Sequence, residues 1–271
     1  MSTNYFIGVN ESEIDRLRAQ HEAWRPETET MWKEAGFASL KSIIDLGCGP
    51  GFTSLDLARI IGSSGRVCAM DKATAYLDYL SAQSRALSVS NISVLNADIT
   101  QGRPHSSTSF DGAFCRWFLA FLRNELDVVL ANIRECLRPG GIFAAMEYLT
   151  LETVACFPSS SAFDANTRAW IEFYSSFGGD TSIGELLPQR LIRAGFRLRS
   201  TRCVGGIANP QHRWWNWWGR LIQDFGPRFA ETGLFQPDEW ETLKRDWKRL
   251  SENPDSVIHT PILVQIVSER I

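Results

Sequence analysis

The chain has no surplus of positive charge. Its 28 Lys and Arg residues stand against 31 Asp and Glu, giving a net charge of -3 and a pI of about 5.9. Nucleic-acid affinity comes largely from cations that neutralise phosphates, so a global basic field is excluded and only local patches remain. Paired cysteines are also missing. Cys48, Cys68, Cys115, Cys136, Cys156 and Cys203 are scattered, with no C-x-x-C and no histidine nearby at zinc-ligand spacing, and no metal site is expected. Several fall in apolar runs, where reduced cysteine behaves as a small hydrophobe, so a reducing cytoplasm is the expected setting. No apolar stretch approaches the length of a membrane span, and Met1-Ser2-Thr3-Asn4 does not read as the start of a signal peptide.

What is present is ordinary in bulk and unusual in two places. With 271 residues the chain can bury one large core or two small ones, and 44% hydrophobic with 22% charged residues is the balance of a globular protein. The first unusual feature is a set of ten tryptophans, several of them clustered toward the C-terminus. The second is the stretch Ser42-Ile43-Ile44-Asp45-Leu46-Gly47-Cys48-Gly49-Pro50-Gly51-Phe52. An apolar strand runs into a glycine-spaced turn, and Thr53 to Ile61 then has helical spacing up to Gly62. Such a turn admits a ligand to the backbone and aims free helix N-terminal amides at it. The dinucleotide fingerprint G-x-G-x-x-G would place its third glycine at Phe52, whereas the sequence has Gly47, Gly49 and Gly51. A nicotinamide enzyme is therefore the weakest reading.

Around this turn, short apolar runs alternate with helical segments, which predicts a parallel sheet with crossover helices. An N-capped amphipathic helix starts after Asn10, carries Ile14, Leu17, His21 and Trp24 on one stripe, and is expected to end near Arg25-Pro26. A second short helix covers Glu27 to Ala35. Strands are expected at Ser42–Leu46, Arg66–Met70, Ile92–Leu95, Phe110–Cys115 and Ile142–Met146. Helices are expected at Thr74–Leu87 and from Asn124 to Leu137, the latter stopped by Arg138-Pro139-Gly140-Gly141. Beyond Thr150 come a helix at Phe163–Phe177, another at Ile183–Ala194, a strand at Arg197–Cys203 and a last strand from Pro261 to Val267. Between those strands lie two helical stripes: Trp214, Trp215, Trp218, Leu221, Ile222, Phe225; and Trp240, Leu243, Trp247, Leu250. The expected organisation is an N-terminal helical cap over 1–40 and an α/β core over 41–204 with an inserted helix at about 150–180. A Trp-rich insertion over 205–260 serves as lid or dimer face, and the final core strand is 261–271.

In an open α/β sheet a ligand sits beyond the carboxyl ends of the strands. Asp71 and Asp98 follow strands 2 and 3, where one can accept from both ribose hydroxyls and the other, with the Ile99 backbone, can meet a base. Together with Asp-Leu-Gly-Cys-Gly-Pro-Gly at 45–51, Asn96-Ala97-Asp98, Phe110-Asp111 and Leu137-Arg138-Pro139-Gly140-Gly141, the stretch from about Ser42 to Tyr148 resembles the class I S-adenosylmethionine-dependent methyltransferases. It is most similar to the small-molecule branch that includes ubiquinone and menaquinone biosynthesis methyltransferases.

The resemblance implies a Rossmann-like, mostly parallel seven-stranded sheet with an antiparallel last strand and helical lid insertions. It implies S-adenosyl-L-methionine as cofactor and S-adenosyl-L-homocysteine as product. It also implies cofactor contacts from Asp45, Gly47, Gly49, Gly51, Asp71, Lys72, Asp98, Ile99, Arg116 and Trp117. Methyl transfer needs a general base only when the acceptor must lose a proton early, and by position His21, Glu147, Tyr148 and His212 are the candidates.

Amino-methyltransferases acting on nucleobases or glutamine carry an Asn/Asp-Pro-Pro-Tyr/Phe element after strand 4, where this chain has Cys115-Arg116-Trp117-Phe118. With the acidic charge, that favours a small aromatic or lipophilic acceptor and no nucleic-acid partner. Two other readings stay open: a protein of the same fold that binds cofactor without transferring methyl, such as a cyclase or scaffold, and a protein or RNA methyltransferase.

Overall fold

In the computed structural model, which describes residues 10–102, 104 and 109–271, a seven-stranded sheet has the order β3-β2-β1-β4-β5-β10-β7. Its strands are β1 (Ser42–Leu46), β2 (Arg66–Asp71), β3 (Ile92–Asn96), β4 (Phe110–Arg116), β5 (Leu137–Thr150), β7 (Phe196–Val204) and β10 (Ile262–Arg270). β1 pairs in parallel with β2 and β4, and β10 runs antiparallel to both β5 and β7. This is the mostly parallel sheet with an antiparallel last strand that the sequence predicts. β1 is buried at all five positions, as expected of a central strand covered on both faces. The crossover helices are α2 (Phe52–Ile61), α3 (Thr74–Ala86), α4 (Leu126–Cys136) and α6 (Ile183–Arg193).

Three features differ from the sequence reading or go beyond it. The N-terminal region is one helix, α1 (Glu11–Ala35), and runs straight through Pro26. A proline inside a helix costs about 3 kcal/mol. Here Trp24 and Trp32, both 0% exposed, flank it and pack into the core, and burial of each is worth roughly 2–3 kcal/mol. Tertiary packing thus outweighs the local break. Second, Arg138 to Gly141 lies within β5 rather than in a loop after α4, because Leu137 already pairs with Phe110. Third, a small antiparallel sheet of β6 (Ala155–Phe157), β8 (Ile207–Ala208) and β9 (Val257–His259), ordered β6-β9-β8, was not legible. These runs of two or three residues are too short for a periodicity to show.

The remaining helices are α5 (Ser161–Ser176), α7 (Arg213–Glu231) and α8 (Pro237–Glu252); α5 and α7 cover the carboxyl ends of the strands together with α1, and α8 packs on α5 and α7. Their tryptophans are consumed inside one chain. Trp215 stacks on Trp247 at 4.5 Å, Trp214 stacks on Trp24 at 4.9 Å and Trp170 lies 4.4 Å from Phe225. Buried side chains of these helices belong to the same apolar cluster as the sheet. Among the described residues no helix is long and apolar enough to cross a membrane.

Candidate active site

The turn after β1 shapes everything around it. Gly47 has φ +64°, and a Cβ there would lie 2.2 Å from Cδ2 of Phe118, so only glycine fits against that ring. Gly49, at φ +52°, differs in kind: a Cβ there would meet nothing within 4 Å, because its backbone faces open space. Gly51, the N-cap of α2, lines neither cavity, and a Cβ there would strike Leu80 at 2.4 Å.

The buried Asp71 carboxylate holds the turn from the neighbouring strand, accepting from the Gly49 N–H at 2.9 Å and the Ala73 N–H at 2.8 Å. Burial raises its pKa, while those two amides pull the other way. Asp45 accepts from the Thr53 and Ser54 hydroxyls at 2.7 and 2.6 Å, which ties β1 to α2, and burial pushes its pKa up to about 6.

Two cavities meet at this turn. The outer cleft has a volume of about 440 Å³ and brings together Asp71, Lys72, Asp98 and Ile99 with Gly47 and Trp117. Asp98 is exposed and also caps a helical turn, accepting from the Thr100 N–H at 2.9 Å. The inner cavity, about 140 Å³, takes Asp45, Gly49, Arg116 and Tyr148 together with Gly47 and Trp117. Gly47, Trp117 and Phe121 line both.

Trp117 is one of two non-glycine residues with positive φ among those described, at +49°. Such a backbone costs on the order of 1–3 kcal/mol and persists where its surroundings enforce it. The enforcing group is Glu147. Its fully buried carboxylate accepts from the amides of Phe118 and Leu119, both at 2.8 Å, and of Ala120 at 3.4 Å, while the Trp117 N–H donates to the Met146 carbonyl. Burial pushes Glu147 up to about 7 against the pull of those amides. Its role is to fold the segment after β4 back on itself, and it lines neither cavity.

Of the other base candidates, His21 and His212 line neither cavity. His21 bridges Asp56 (Nε2 to Oδ2, 3.0 Å) and Arg116 (Nδ1 to Nη2, 3.1 Å). Burial, with Arg116 and Arg25 nearby, lowers its pKa against the pull of Asp56. His212 caps α7 by accepting from the Trp214 N–H at 3.2 Å. Only Tyr148 lines the inner cavity; its pKa is pushed up to about 12 by burial, against its hydrogen bond with Tyr174. Arg116 is turned toward α1, donating to Thr28 Oγ1 at 3.0 Å as well as to His21, and burial lowers it to about 10.

Trp218 and Phe225 of the helical half of the inner cavity lie on a stripe that the sequence singles out, whereas its charged and polar α1 residues were missed. Its wall includes Glu13, Arg16 and Gln20 of α1, Trp170 and Tyr174 of α5, and Trp218 and Phe225 of α7. Glu13, Arg16 and Gln20 recur every three or four residues, but such a charged stripe reads as a solvated face until the helices that cover it are known.

Comparison with known proteins bears on this geometry. Residues 43–141 match a family described as a methyltransferase domain. The demethylmenaquinone methyltransferase of Lactococcus lactis subsp. lactis (strain IL1403) is 32% identical over 143 residues, covering 50% of this chain and 54% of that protein. The chain thus spans about half the length of the curated relatives it matches. Among solved structures, coclaurine N-methyltransferase bound to N-methylheliamine and S-adenosylhomocysteine superposes with TM-score 0.56 at 16% identity, over 92% of this chain and 73% of that one. The cyclase SpnF does so with TM-score 0.54 at 15% identity, over 88% and 80%. At these identities the superpositions speak for the fold alone. The match over residues 43–141 takes in the glycine turn and the two aspartates beyond β2 and β3, and it makes that stretch of the chain similar to a methyltransferase domain.

Proposed function

We propose that the protein transfers the methyl group of S-adenosylmethionine, by in-line displacement, to a small aromatic or lipophilic metabolite held in the inner cavity. The observation that carries this is the pair of contiguous cavities, one holding the strand-end residues Asp71, Lys72 and Asp98 and the other enclosed by Tyr148, Trp170, Tyr174 and Trp218 with charged residues of α1, joined at Gly47, Trp117 and Phe121.

The residues fit the cofactor. Gly49 leaves a cradle that a Cβ would fill, and each Asp71 oxygen accepts one amide and keeps a lone pair for a ribose hydroxyl. Lys72, Asp98 and Ile99 would flank the base, with Gly47 and Asp45 toward the amino-acid end. When bound, S-adenosylmethionine supplies a methyl group already activated by its sulfonium.

The chain's own contribution is then position and dryness. Trp117 forms a wall common to both cavities, and Tyr148, Tyr174, Trp170 and Trp218 would hold a flat ring while excluding water. The two carboxylates of the inner cavity are committed, Glu13 to Arg16 and Asp45 to Thr53 and Ser54, so no general base is assigned.

Isotope-labelled methyl from S-adenosylmethionine, offered with a cell extract that is then separated into solvent-extractable metabolites, protein and nucleic acid, tests the reading. Label in the metabolite fraction supports it. Label confined to macromolecules replaces it with a protein or RNA acceptor, and cofactor binding without any label replaces it with a protein that binds but does not transfer.

A further inference from the structure

We infer that the α1 wall of the inner cavity is built to receive an uncharged carbonyl oxygen on an aromatic ligand, with Arg16 as donor and Glu13 as the residue that excludes charged ligands. This deepens, and rests on, the reading of the inner cavity as the acceptor site.

Arg16 and Glu13 are 5% and 3% exposed although they sit one turn from the start of α1. They form a two-pronged pair, Nε to Oε2 at 2.8 Å and Nη2 to Oε1 at 2.6 Å, and Nη1 donates to the Gln20 side-chain oxygen at 3.0 Å. A guanidinium has five N–H groups, so three are engaged and one remains on each terminal nitrogen. Those two can converge on a single oxygen bearing two lone pairs. The guanidinium carbon lies 5.4 Å from the Phe225 ring centre, and Trp170 and Tyr174 line the same cavity, so a polar group at Arg16 is continuous with an aromatic slot.

Charge selects among the groups that could accept. Glu13 cancels Arg16, so a third charge at this wall would be desolvated without compensation. A carboxylate would face Glu13, and an ammonium would face Arg16. The other charged residues of the cavity, Asp45 and Arg116, are already bonded to Thr53 and Ser54, and to Thr28 and His21, respectively. A buried ion pair adds little stability over apolar residues of similar volume, so a ligand gives this one a use that folding does not. A neutral carbonyl takes both hydrogen bonds and adds no charge.

The test uses the full chain saturated with S-adenosylhomocysteine and three ligands of similar shape: acetophenone, benzoate and benzylamine, titrated by saturation-transfer NMR. Acetophenone should bind roughly tenfold more tightly than either charged analogue, the discrimination expected of charge-assisted hydrogen bonds. Glu13→Gln removes the cancelling charge and should make benzoate the preferred ligand, with affinity for S-adenosylhomocysteine reporting that the variant is folded. If that variant does not fold, the order of the three ligands on the wild-type protein decides by itself. Equal binding of all three, a wild-type preference for benzoate or benzylamine, or an unchanged order in Glu13→Gln overturns the assignment to Arg16 and Glu13. No binding of any of the three to protein that does bind S-adenosylhomocysteine removes the inner cavity as acceptor site, and with it the reading on which this inference rests.

Discussion

The two cavities share three residues and are built by opposite means. The outer cleft is assembled from backbone turns and side chains at consecutive strand ends, Gly47, Asp71, Asp98 and Trp117, whose positions follow from the sheet itself. The inner cavity is closed by side chains on helices from both ends of the chain, α1 on one side and α5 and α7 on the other. The first is therefore sensitive to backbone geometry and the second to side-chain chemistry. That difference lets each be broken without the other.

The largest effect expected falls on the glycine turn where the two cavities meet. Gly49→Val places a branched side chain in the open space before the turn, at a left-handed φ that a β-branched residue resists, and should abolish S-adenosylhomocysteine binding in calorimetry. A folded Gly49→Val protein of normal affinity would show that the cradle is not where the cofactor lies.

Next in size is a pH effect at the boundary between the cavities. Burial raises the Glu147 pKa from 4.5 to about 7, so between those values the folded state holds more protons than the unfolded one. The stability this gives is present below about pH 4.5 and is lost as pH rises to about 7, on the order of 3 kcal/mol. Glu147→Gln keeps an oxygen for the Phe118 and Leu119 amides and lacks that titration. Urea midpoints of wild type should fall relative to Glu147→Gln over this range, and parallel curves would refute the burial assignment.

Asp71→Asn removes the charge from the residue that holds the turn. It should weaken cofactor binding by about 1.5–3 kcal/mol, the range for hydrogen bonds to a charged group. An affinity within twofold of wild type would leave Asp71 as a turn brace only.

The smallest expected effect isolates the inner cavity. Tyr174→Phe deletes one hydroxyl of the Tyr148–Tyr174 pair, worth about 1 kcal/mol, and should lower methyl transfer while leaving cofactor affinity unchanged. A parallel loss of cofactor affinity would mean that the cavities are not separable.

How far each region was legible follows from how it is built. Gly47 and Gly49 announced themselves because a turn after a buried strand imposes residue type directly, and Asp71 and Asp98 because strand ends can be counted. Arg116 stands at such an end, yet its side chain is drawn back to Thr28 and His21 on a helix some ninety positions earlier, as no strand count would show. Gly51 looked equivalent to its neighbours, yet a Cβ there would meet Leu80 rather than open space. The break expected at Pro26 failed because a local preference of a few kcal/mol yields to two buried tryptophans.

By itself the sequence determined the α/β class, the five parallel strands of the core and which polar residues stand at their ends, since these depend on periodicity and on backbone rules that act over a few residues. Only the tertiary structure decided that Glu13 and Arg16 are buried, that the Glu147 carboxylate accepts from the amides of the segment after β4, and which tryptophans face a cavity. Those outcomes depend on which helix covers which face, and covering is a property of contacts between distant segments that no local pattern encodes.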